Sequence, residues 1–322
     1  MLRPMKRLLL LTLLLLPAAL AGAFPDRPVR LVVPYAPGGS SDVLARLMSE
    51  RMRDALGQPV VIENRPGAGS MLGTDAVAKA AADGHTILLA DMPHTIVPAV
   101  HGKKTPYHPV EDFAPISLIG VAPLMLFVHP GFAAQDLAEL IASAKRTPDR
   151  IAIASGGNGS ATHLMAALLQ AQAGIRLTHV PYKGAGPALN DVVAGQVPTL
   201  FTTLATAAPH LKAGRLRALA VSSPVRLADH PSVPTFAESA LPQLVVQHWW
   251  GVLAPTGVPA AAIERLAQAV AGTIQAADVR EKFAAVGVAP PAATGPAALG
   301  ALIVQDLKRW TTIVHDARIT AD

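Results

Sequence analysis

The chain has 322 residues, of which 51% are hydrophobic, with 27 Lys and Arg against 22 Asp and Glu and no cysteine. This length and composition predict a water-soluble globular protein of about two domains, each large enough to bury its own core. Because cysteine is absent, we expect no disulfide scaffold, no thiolate metal site, no cysteine nucleophile and no lipid attached through a cysteine.

The N-terminus carries a short basic and apolar segment. Three basic residues precede an apolar run over residues 8–16, which is followed by Pro17 and by small residues up to Ala23. The run is shorter than the ~20 residues that a membrane-spanning helix needs, and the small residues fit a cleavage rule. We therefore predict a cleavable signal peptide over residues 1–23 and a periplasmic mature protein that is not lipid-anchored, with an uncleaved anchor as the alternative.

Much of the net positive charge belongs to this segment. Residues 1–23 hold three Lys and Arg and no Asp or Glu, so the remaining 299 residues carry 24 basic against 22 acidic side chains. Dense basic stretches interleaved with aromatic residues, which nucleic-acid binding favours, are absent from the sequence. We expect no nucleic-acid partner.

From residue 24 onward, apolar strand-like runs alternate with helical patterns bounded by Gly and Pro, which is typical of βαβ units around a mainly parallel sheet. The predicted fold class is α/β. The first series comprises a strand at 29–33, a helix from Ser40 or Ser41 to 56, a strand at 60–63, a helix over 70–82 and a strand at 86–89. The second series comprises strands at 124–128, 151–154, 177–180, 197–201 and 216–221, with helices over 136–146 and 161–172 among them. Helices over 259–275, 277–286 and 296–315 end the chain.

A strand, a Gly/Ser loop and a helix follow one another twice. The first loop spans residues 34–39 and the second spans residues 155–160. The first amides of a helix have no internal partner and the helix dipole adds partial positive charge, so each loop can bind one carboxylate. An ordinary capped turn is the alternative for either loop taken alone.

The sequence lacks the motifs of nucleotide-binding proteins, serine hydrolases and zinc proteases. The glycines of residues 67–73 are spaced one residue too widely for a dinucleotide loop, and no Gly-x-Ser-x-Gly or His-Glu-x-x-His pattern occurs. His94, His101 and His108 are separated by prolines and a glycine, so we expect solvated loop histidines. We predict no cofactor and no metal site. His163 is expected either to face a ligand or to pack. Trp249 and Trp250 are expected to pack at an interdomain strand, with stacking on a ligand as the alternative.

Six motifs, in their order and spacing, resemble the substrate-binding proteins of tripartite tricarboxylate transporters, the Bug family. They are Phe-Pro-Asp-Arg-Pro-Val-Arg at 24–30, Val-Pro-Tyr-Ala-Pro-Gly-Gly-Ser-Ser-Asp at 33–42, Glu-Asn-Arg-Pro-Gly-Ala-Gly at 63–69, Ala-Ser-Gly-Gly-Asn-Gly-Ser at 154–160, Val-Pro-Tyr-Lys-Gly at 180–184 and Pro-Thr-Phe-Ala-Glu at 234–238. The resemblance spans nearly all of residues 24–322.

The resemblance implies a two-lobed periplasmic-binding-protein fold of the Venus-flytrap type II class with two crossover segments. Residues 24–123 and 248–322 would form lobe 1, and residues 124–247 would form lobe 2. It implies a non-enzymatic monomer that captures a small carboxylate ligand between the lobes and delivers it to membrane transporter subunits.

The resemblance also assigns candidate ligand-binding residues. From lobe 1 they are Tyr35, Gly38, Gly39, Ser40 and Ser41, and from lobe 2 they are Ser155, Asn158, Gly159, Ser160 and Thr162. Asp42 is interpreted as a charge at the start of a helix. The family often carries an acidic residue near Thr202, where this chain has Thr202 and Thr203, so we add these two and expect a plain mono- or dicarboxylate rather than a cationic amino acid.

Two further hypotheses remain open from sequence. An exported α/β hydrolase would use a serine and a histidine from opposite lobes. A ligand sensor would bind the same kind of molecule and contact a signalling protein instead of a transporter.

Overall fold

The computed structural model describes residues 24–320, so the predicted signal peptide over residues 1–23 lies outside the described residues. Within that range, no helix combines the length and the apolar character needed to cross a membrane. The strands of the described part are β1 (Val29–Val33), β2 (Val60–Asn64), β3 (Thr86–Asp91), β4 (Phe113–Pro123), β5 (Met125–Val128), β6 (Ala152–Ser155), β7 (Thr178–Pro181), β8 (Thr199–Thr202), β9 (Arg217–Val221) and β10 (Gln247–Pro255).

The helices of the described part are α1 (Ser40–Leu56), α2 (Met71–Ala78), α3 (Pro93–His101), α4 (Leu137–Arg146), α5 (Ala161–Ala173), α6 (Ala185–Val193), α7 (Leu204–Lys212), α8 (Ala260–Gln275), α9 (Ala277–Ala285) and α10 (Gly295–Asp316). Short 3₁₀ turns occur at Ala68–Ser70, Gly102–Lys104, Ala237–Ser239 and Pro242–Leu244.

The first sheet has the strand order β2-β1-β3-β10-β4. Strand β1 runs parallel to β2 and β3, whereas β10 runs antiparallel to β3 and β4. All six residues of β3 and four of the five in β1 are buried, as expected for parallel strands that helices cover on both faces. This sheet and its helices form the first lobe.

The second sheet has the strand order β7-β6-β8-β5-β9. Strand β6 runs parallel to β7 and β8, and β5 runs antiparallel to β8 and β9. Phe127, Leu200 and Val192 are fully buried in its core. This sheet and its helices form the second lobe, so the molecule is a two-lobed α/β protein, as the sequence predicted.

The chain passes between the lobes at two adjacent places. Leu124 links β4 to β5, and residues 222–246 lead from β9 to β10. Ser222 joins the two crossings, because its backbone N–H donates to the Leu124 carbonyl at 2.8 Å and its hydroxyl accepts from the Leu124 N–H at 2.8 Å. The two crossing segments are therefore hydrogen-bonded to each other at Leu124 and Ser222. The exact boundaries at 123/124 and 247/248 stay a prediction.

Helix α3 and strand β4 were not predicted from the sequence. Pro98 lies inside α3, where a proline removes a backbone donor, but buried Ile96 and Val97 hold the helix against the core. Strand β4 contains Pro115 and Gly120, which interrupt the sequence pattern of a strand. Tertiary packing overrides the local signals at both places.

The expectation of solvated loop histidines is wrong for His94. Its side chain is buried at the start of α3, where Nε2 donates to the Pro109 carbonyl at 2.8 Å and the ring lies edge-on to Phe113 at 4.8 Å between centroids. Burial lowers the pKa of His94 to about 4. His108 is exposed, as predicted.

Candidate functional site

A cavity lies between the two lobes, and about 440 Å³ of space there is free of protein atoms, including space open to solvent. We call it the cleft cavity. Its lining residues are Tyr35, Gly39, Ser40, Ser41, Asp91, Pro93, Leu124, Gly156, Ser160, Ala161, Thr162, Ala185, Thr202, Thr203 and His248. Both lobes and the hinge contribute lining residues, so a molecule bound there would contact both lobes and the hinge.

Four helices whose first residue carries a backbone N–H begin at the cleft cavity. These are α1, α5, α6 and α7, whose first residues or N-caps line it. Helix α3 also begins there, but its first residue is Pro93, which has no N–H. Each helix N-terminus carries about half a positive charge, so the helix ends make the cavity attractive to anions. Among the described residues that line it, none is Lys or Arg.

The loop before α1 is held by hydrogen bonds behind the cavity. Gly38 has a left-handed backbone with φ of 90°, and its N–H donates to Asp42 at 3.0 Å. Burial of Asp42 opposes its charge, but hydrogen bonds from Arg46, Gly38 and Asn64 hold its pKa below the ordinary value. Asp42 lies in the first turn of α1, as predicted, and in addition it fastens the loop to that turn.

Helix α1 begins at Ser40, within the predicted range, but no serine side chain caps it. Its N-cap is Gly39, and neither Ser40 nor Ser41 caps it with a side chain. The hydroxyl of Ser41 instead donates to Asp91 at 3.0 Å and accepts from the Trp250 indole N–H at 3.1 Å. The hydroxyl groups of the two serines are therefore not used to cap the helix and can make other hydrogen bonds.

Helix α5 begins at Ala161, as the sequence predicted, and a side chain caps its start. Ser160 is the N-cap of α5, and its hydroxyl accepts from the His163 N–H at 3.2 Å. The hydroxyl of Thr162 accepts from the Gly156 N–H at 2.8 Å and lies 3.0 Å from the Ser160 hydroxyl. These bonds fix two hydroxyl groups at the cavity wall.

The lobes touch each other at several places in the closed structure. The Ala36 N–H donates to the Lys183 carbonyl at 2.9 Å. A methyl group on Gly186 would lie 2.5 Å from the Pro37 carbonyl oxygen, and one on Gly69 would lie 1.9 Å from the Asn158 carbonyl oxygen. Such distances leave no room for a Cβ, so the structure has a closed cleft.

The sequence profile described as "Tripartite tricarboxylate transporter family receptor" matches residues 44–319. Protein BugT from Bordetella pertussis is 38% identical over 297 residues, which are 92% of this chain and 91% of BugT. This agreement covers both lobes. The chain belongs to the tripartite tricarboxylate transporter receptor family.

Two solved structures extend the comparison to bound molecules. The structure of MatC from Rhodopseudomonas palustris with bound malate is 35% identical, has a TM-score of 0.87 and covers 90% of this chain and 100% of MatC. The structure of R. palustris Rpa4515 with adipate is 32% identical, also has a TM-score of 0.87 and covers 92% of this chain and 99% of that protein. This receptor is therefore a solute-binding protein and not an enzyme.

Eight of the twelve residues predicted for the ligand site line the cleft cavity: Tyr35, Gly39, Ser40, Ser41, Ser160, Thr162, Thr202 and Thr203. The other four, Gly38, Ser155, Asn158 and Gly159, lie outside the lining. Gly38 holds the first loop in place through its hydrogen bond to Asp42. Asn158 and Gly159 lie against Gly69 and Val97 of the first lobe. Ligand binding by the predicted residues stays a prediction.

A serine and a histidine do meet in this receptor, but within one lobe. The Ser155 hydroxyl lies 2.6 Å from His179 Nε2, and the His179 ring stacks on His163 with centroids 4.4 Å apart. Ser155 has no exposed surface and does not line the cavity. A nucleophile must reach its substrate, so this pair gives the hydrolase hypothesis no support. His163 packs here instead of lining the cavity.

Sequence reasoning missed two polar residues of the cleft cavity, Asp91 and His248. Asp91 ends β3 at the carboxyl edge of the parallel strands, where ligands of open α/β sheets bind. The predicted strand ended two residues earlier, at residue 89. The location of Asp91 just after a predicted strand was the signal that could have identified it. His248 has no local motif, because only the pairing of β10 with β3 and β4 brings it to the cavity.

Metal binding has no support in the described part of the chain. Within residues 24–320, no three His, Asp or Glu side chains lie close enough together to hold a metal ion.

Proposed function

We propose that this receptor captures a small carboxylate in the cleft cavity and delivers it to the membrane subunits of a tripartite tricarboxylate-type transporter. The observation that carries the proposal is the meeting of four helix N-termini at a cavity whose described lining holds no lysine or arginine. The malate-bound and adipate-bound relatives support a carboxylate as the ligand class.

The helix ends alone supply too little free energy. One terminus contributes about 0.3 to 2 kcal/mol for a bound charge, whereas micromolar affinity requires about 8 kcal/mol. Hydroxyl groups must therefore add hydrogen bonds, each contributing about 0.5 to 1.5 kcal/mol. Ser40, Thr162 and Thr203 are placed to do so, because they line the cavity beside helix N-termini.

Ligand binding also drives closure. A carboxylate that accepts from α1 in the first lobe and from α5 in the second gains both sets of bonds only when the lobes are closed. The factor by which the ligand shifts the open–closed equilibrium is limited by the ratio of its affinities for the closed and open forms. We infer that the closed, liganded form docks on the membrane subunits.

The proposal includes location and assembly. Export by the predicted signal peptide would place residues 24–322 in the periplasm, where the mature protein would diffuse freely as a monomer. The near balance of acidic and basic residues after residue 23 gives it no general affinity for anionic surfaces.

The test is a titration of protein that begins at residue 24 and has been unfolded and refolded to remove any co-purified ligand. Succinate, malate, glutarate, adipate, citrate and butyrate are added in turn, while calorimetry records binding and chromatography records consumption of the acid. We expect saturable binding of at least one acid, a higher melting temperature and no turnover. Consumption of an acid, or no binding to any of them, would contradict the proposal.

A further inference from the structure

His101 of the first lobe lies against Gly159 of the second lobe, outside the lining of the cleft cavity. It is the last residue of α3, and a methyl group on Gly159 would lie 3.3 Å from His101 Nε2 and 3.2 Å from Val97 Cγ2. The sequence predicted a solvated loop position for this histidine, but in the closed structure it ends a helix and is partly buried. A loop of one lobe therefore covers a titratable group of the other.

The covered nitrogen of His101 makes no hydrogen bond. Its Nε2 is buried, and no atom of the described residues donates to it or accepts from it. A neutral imidazole carries one N–H, which can reside on the other ring nitrogen, whereas a protonated ring carries a proton on both. Because a buried N–H without an acceptor is unfavourable, the closed cleft disfavours the protonated ring.

The charged groups around His101 also oppose its protonation. Burial lowers the pKa of His101, and the neighbouring Lys104 ammonium lowers it further. The other basic side chains close to α3 in the chain or on the packed helix α10, Lys103, Lys308 and Arg309, are exposed. The acidic side chains of the elements packed against α3 bond to other residues: Asp75 to Lys79, Asp91 to Ser41, Asp306 to Trp249 and Asp316 to His315.

Two further histidines lie behind the loop that covers His101. The Gly159 N–H donates to His163 Nδ1 at 3.1 Å, and the His163 ring stacks on His179 with centroids 4.4 Å apart. A positive charge on either stacked ring opposes one on the other. Both rings belong to the second lobe, so these contacts do not require a closed cleft. His101 is the histidine of this group whose surroundings depend on the other lobe.

Resting on the proposed function, we propose that His101 makes closure of the cleft, and with it ligand affinity, decrease as the pH falls. Separation of the lobes removes Gly159 from Nε2, so the ring can take up a proton that water then stabilises. Closure must expel this proton. Acid therefore favours the open form, and the receptor releases its ligand on acidification.

The direction and size of the effect follow from proton linkage. In the open form we expect His101 to titrate near the ordinary value of 6.5, whereas the closed form holds its pKa lower. Closure is therefore unaffected well above pH 6.5 and is increasingly opposed below it. Ligand affinity should fall about two- to fourfold between pH 8 and pH 6, and binding at pH 6 should release up to about 0.8 proton.

The test is calorimetry of the refolded protein that begins at residue 24. The probe is the tightest-binding acid among succinate, malate, glutarate, adipate, citrate and butyrate, and titrations are run at pH 8, 7 and 6. Each titration is repeated in two buffers of different ionisation enthalpy, because the difference between the observed heats gives the number of protons released. We expect weaker binding and proton release at pH 6, and neither at pH 8.

Three substitutions assign the pH dependence to a residue, and protonation of the acid itself is common to all of them. His101→Gln removes the titrating ring; it is expected to bind at pH 8 within about threefold of the wild type but to lose the proton release at pH 6. His108→Gln changes an exposed histidine and should keep the wild-type pH dependence. Lys104→Gln removes the charge that lowers the pKa of His101, so its affinity should begin to fall at a higher pH.

Several outcomes would overturn the inference. Equal affinity of the wild type at pH 8 and pH 6 would do so, as would tighter binding at pH 6. A His101→Gln protein that keeps more than about half of the wild-type proton release would assign the dependence to another group. If melting shows that this variant does not fold, the wild-type ratio and the shift in Lys104→Gln decide. Binding that does not depend on pH leaves the proposed function standing, whereas no binding of any acid removes both.

Discussion

Gly69 in the first lobe lies against the main-chain carbonyl of Asn158 in the second, so closely that a methyl group on Gly69 would come within 1.9 Å of the carbonyl oxygen. Real Cβ atoms do not approach an oxygen so closely, so any other residue at Gly69 must hold the lobes apart. The contact exists only in the closed cleft. A side chain at position 69 would therefore oppose this closed arrangement, although Gly69 does not line the cavity.

Gly69→Ala is expected to lower ligand affinity by at least about 10-fold, because closure then requires the backbone of one lobe to move. Gly69 also has φ of 64°, so alanine there destabilises the fold by about 1 kcal/mol independently of the ligand. Calorimetry gives the affinity, and urea unfolding without ligand gives the stability.

Gly174→Ala is the matched control. Gly174 has nearly the same backbone, with φ of 61°, but no atom of the described chain lies within 4 Å of the position of its Cβ. It should show the same stability loss with wild-type affinity. Equal affinities in the two variants would mean that the Gly69 contact has no part in closure.

A second contact between the lobes, at Gly186, makes a second prediction. A methyl group on Gly186 would lie 2.5 Å from the Pro37 carbonyl oxygen and 3.0 Å from the Gly38 carbonyl carbon. Gly186 lies in the first turn of α6 without a left-handed φ, so Gly186→Ala is expected to change folding stability by less than about 1 kcal/mol. Ligand affinity should nevertheless fall about 10-fold or more, measured by calorimetry.

Gly272→Ala provides the comparison for Gly186→Ala. Gly272 lies within α8, and the space around its Cβ position is open. Affinity should stay at the wild-type value, and stability should rise by roughly 1 kcal/mol because alanine favours a helix interior. Wild-type affinity in Gly186→Ala would show that the lobes close without this contact.

The sequence predicted those parts of the site that are local in the chain. Strand β1, the loop after it and helix α1 follow one another without interruption, and the capped start of α5 has its Ser160 signal in the sequence itself. Apolar runs, glycines and a capping serine act over a few residues, so local patterns carry them.

The remaining parts depend on contacts between distant segments. His248 reaches the cavity because β10 returns to the first sheet between β3 and β4, about 155 residues after β3 in the chain. Helix α3 forms through Pro98 because its apolar residues are buried, which overrides the local preference. No spacing rule within a short window contains this information.

Thr203 offers a prediction in which stability and affinity change in opposite directions. Thr203 lines the cleft cavity, and its hydroxyl is buried, has no hydrogen-bond partner among the described residues and does not cap α7. Thr203→Val has the same shape and removes an unpaired polar group, so the ligand-free protein should become more stable by up to about 1 kcal/mol. If the hydroxyl binds ligand, affinity should fall by about 3- to 10-fold.

The control for Thr203→Val is Thr206→Val, one turn further along α7. The Thr206 hydroxyl is also buried without a partner in the described chain, but it does not line the cavity. This variant should gain stability and keep its ligand affinity. The same affinity loss in both variants would point to a shift of α7 and would argue against a direct contact of Thr203 with the ligand.

Stability should also depend on pH through His94. Burial lowers the pKa of His94 from 6.5 to about 4, so the unfolded chain takes up a proton at a pH where the folded protein does not. The contribution of neutral His94 to the free energy of unfolding is fully present above pH 6.5. It is lost progressively as the pH falls towards 4, by about 3 kcal/mol at most. Urea unfolding of the ligand-free protein between these pH values measures it.

His94→Gln removes the titrating group but retains an amide N–H for the Pro109 carbonyl, the partner of His94 at 2.8 Å. The variant should be less stable than the wild type near neutral pH, and the difference should shrink as the pH falls, because only the wild type loses stability through this histidine. His315→Gln changes a side chain that is 87% exposed and should follow the wild-type curve. Parallel curves for His94→Gln and the wild type would show that His94 titrates alike in the folded and unfolded chains, so that its burial does not couple folding to pH.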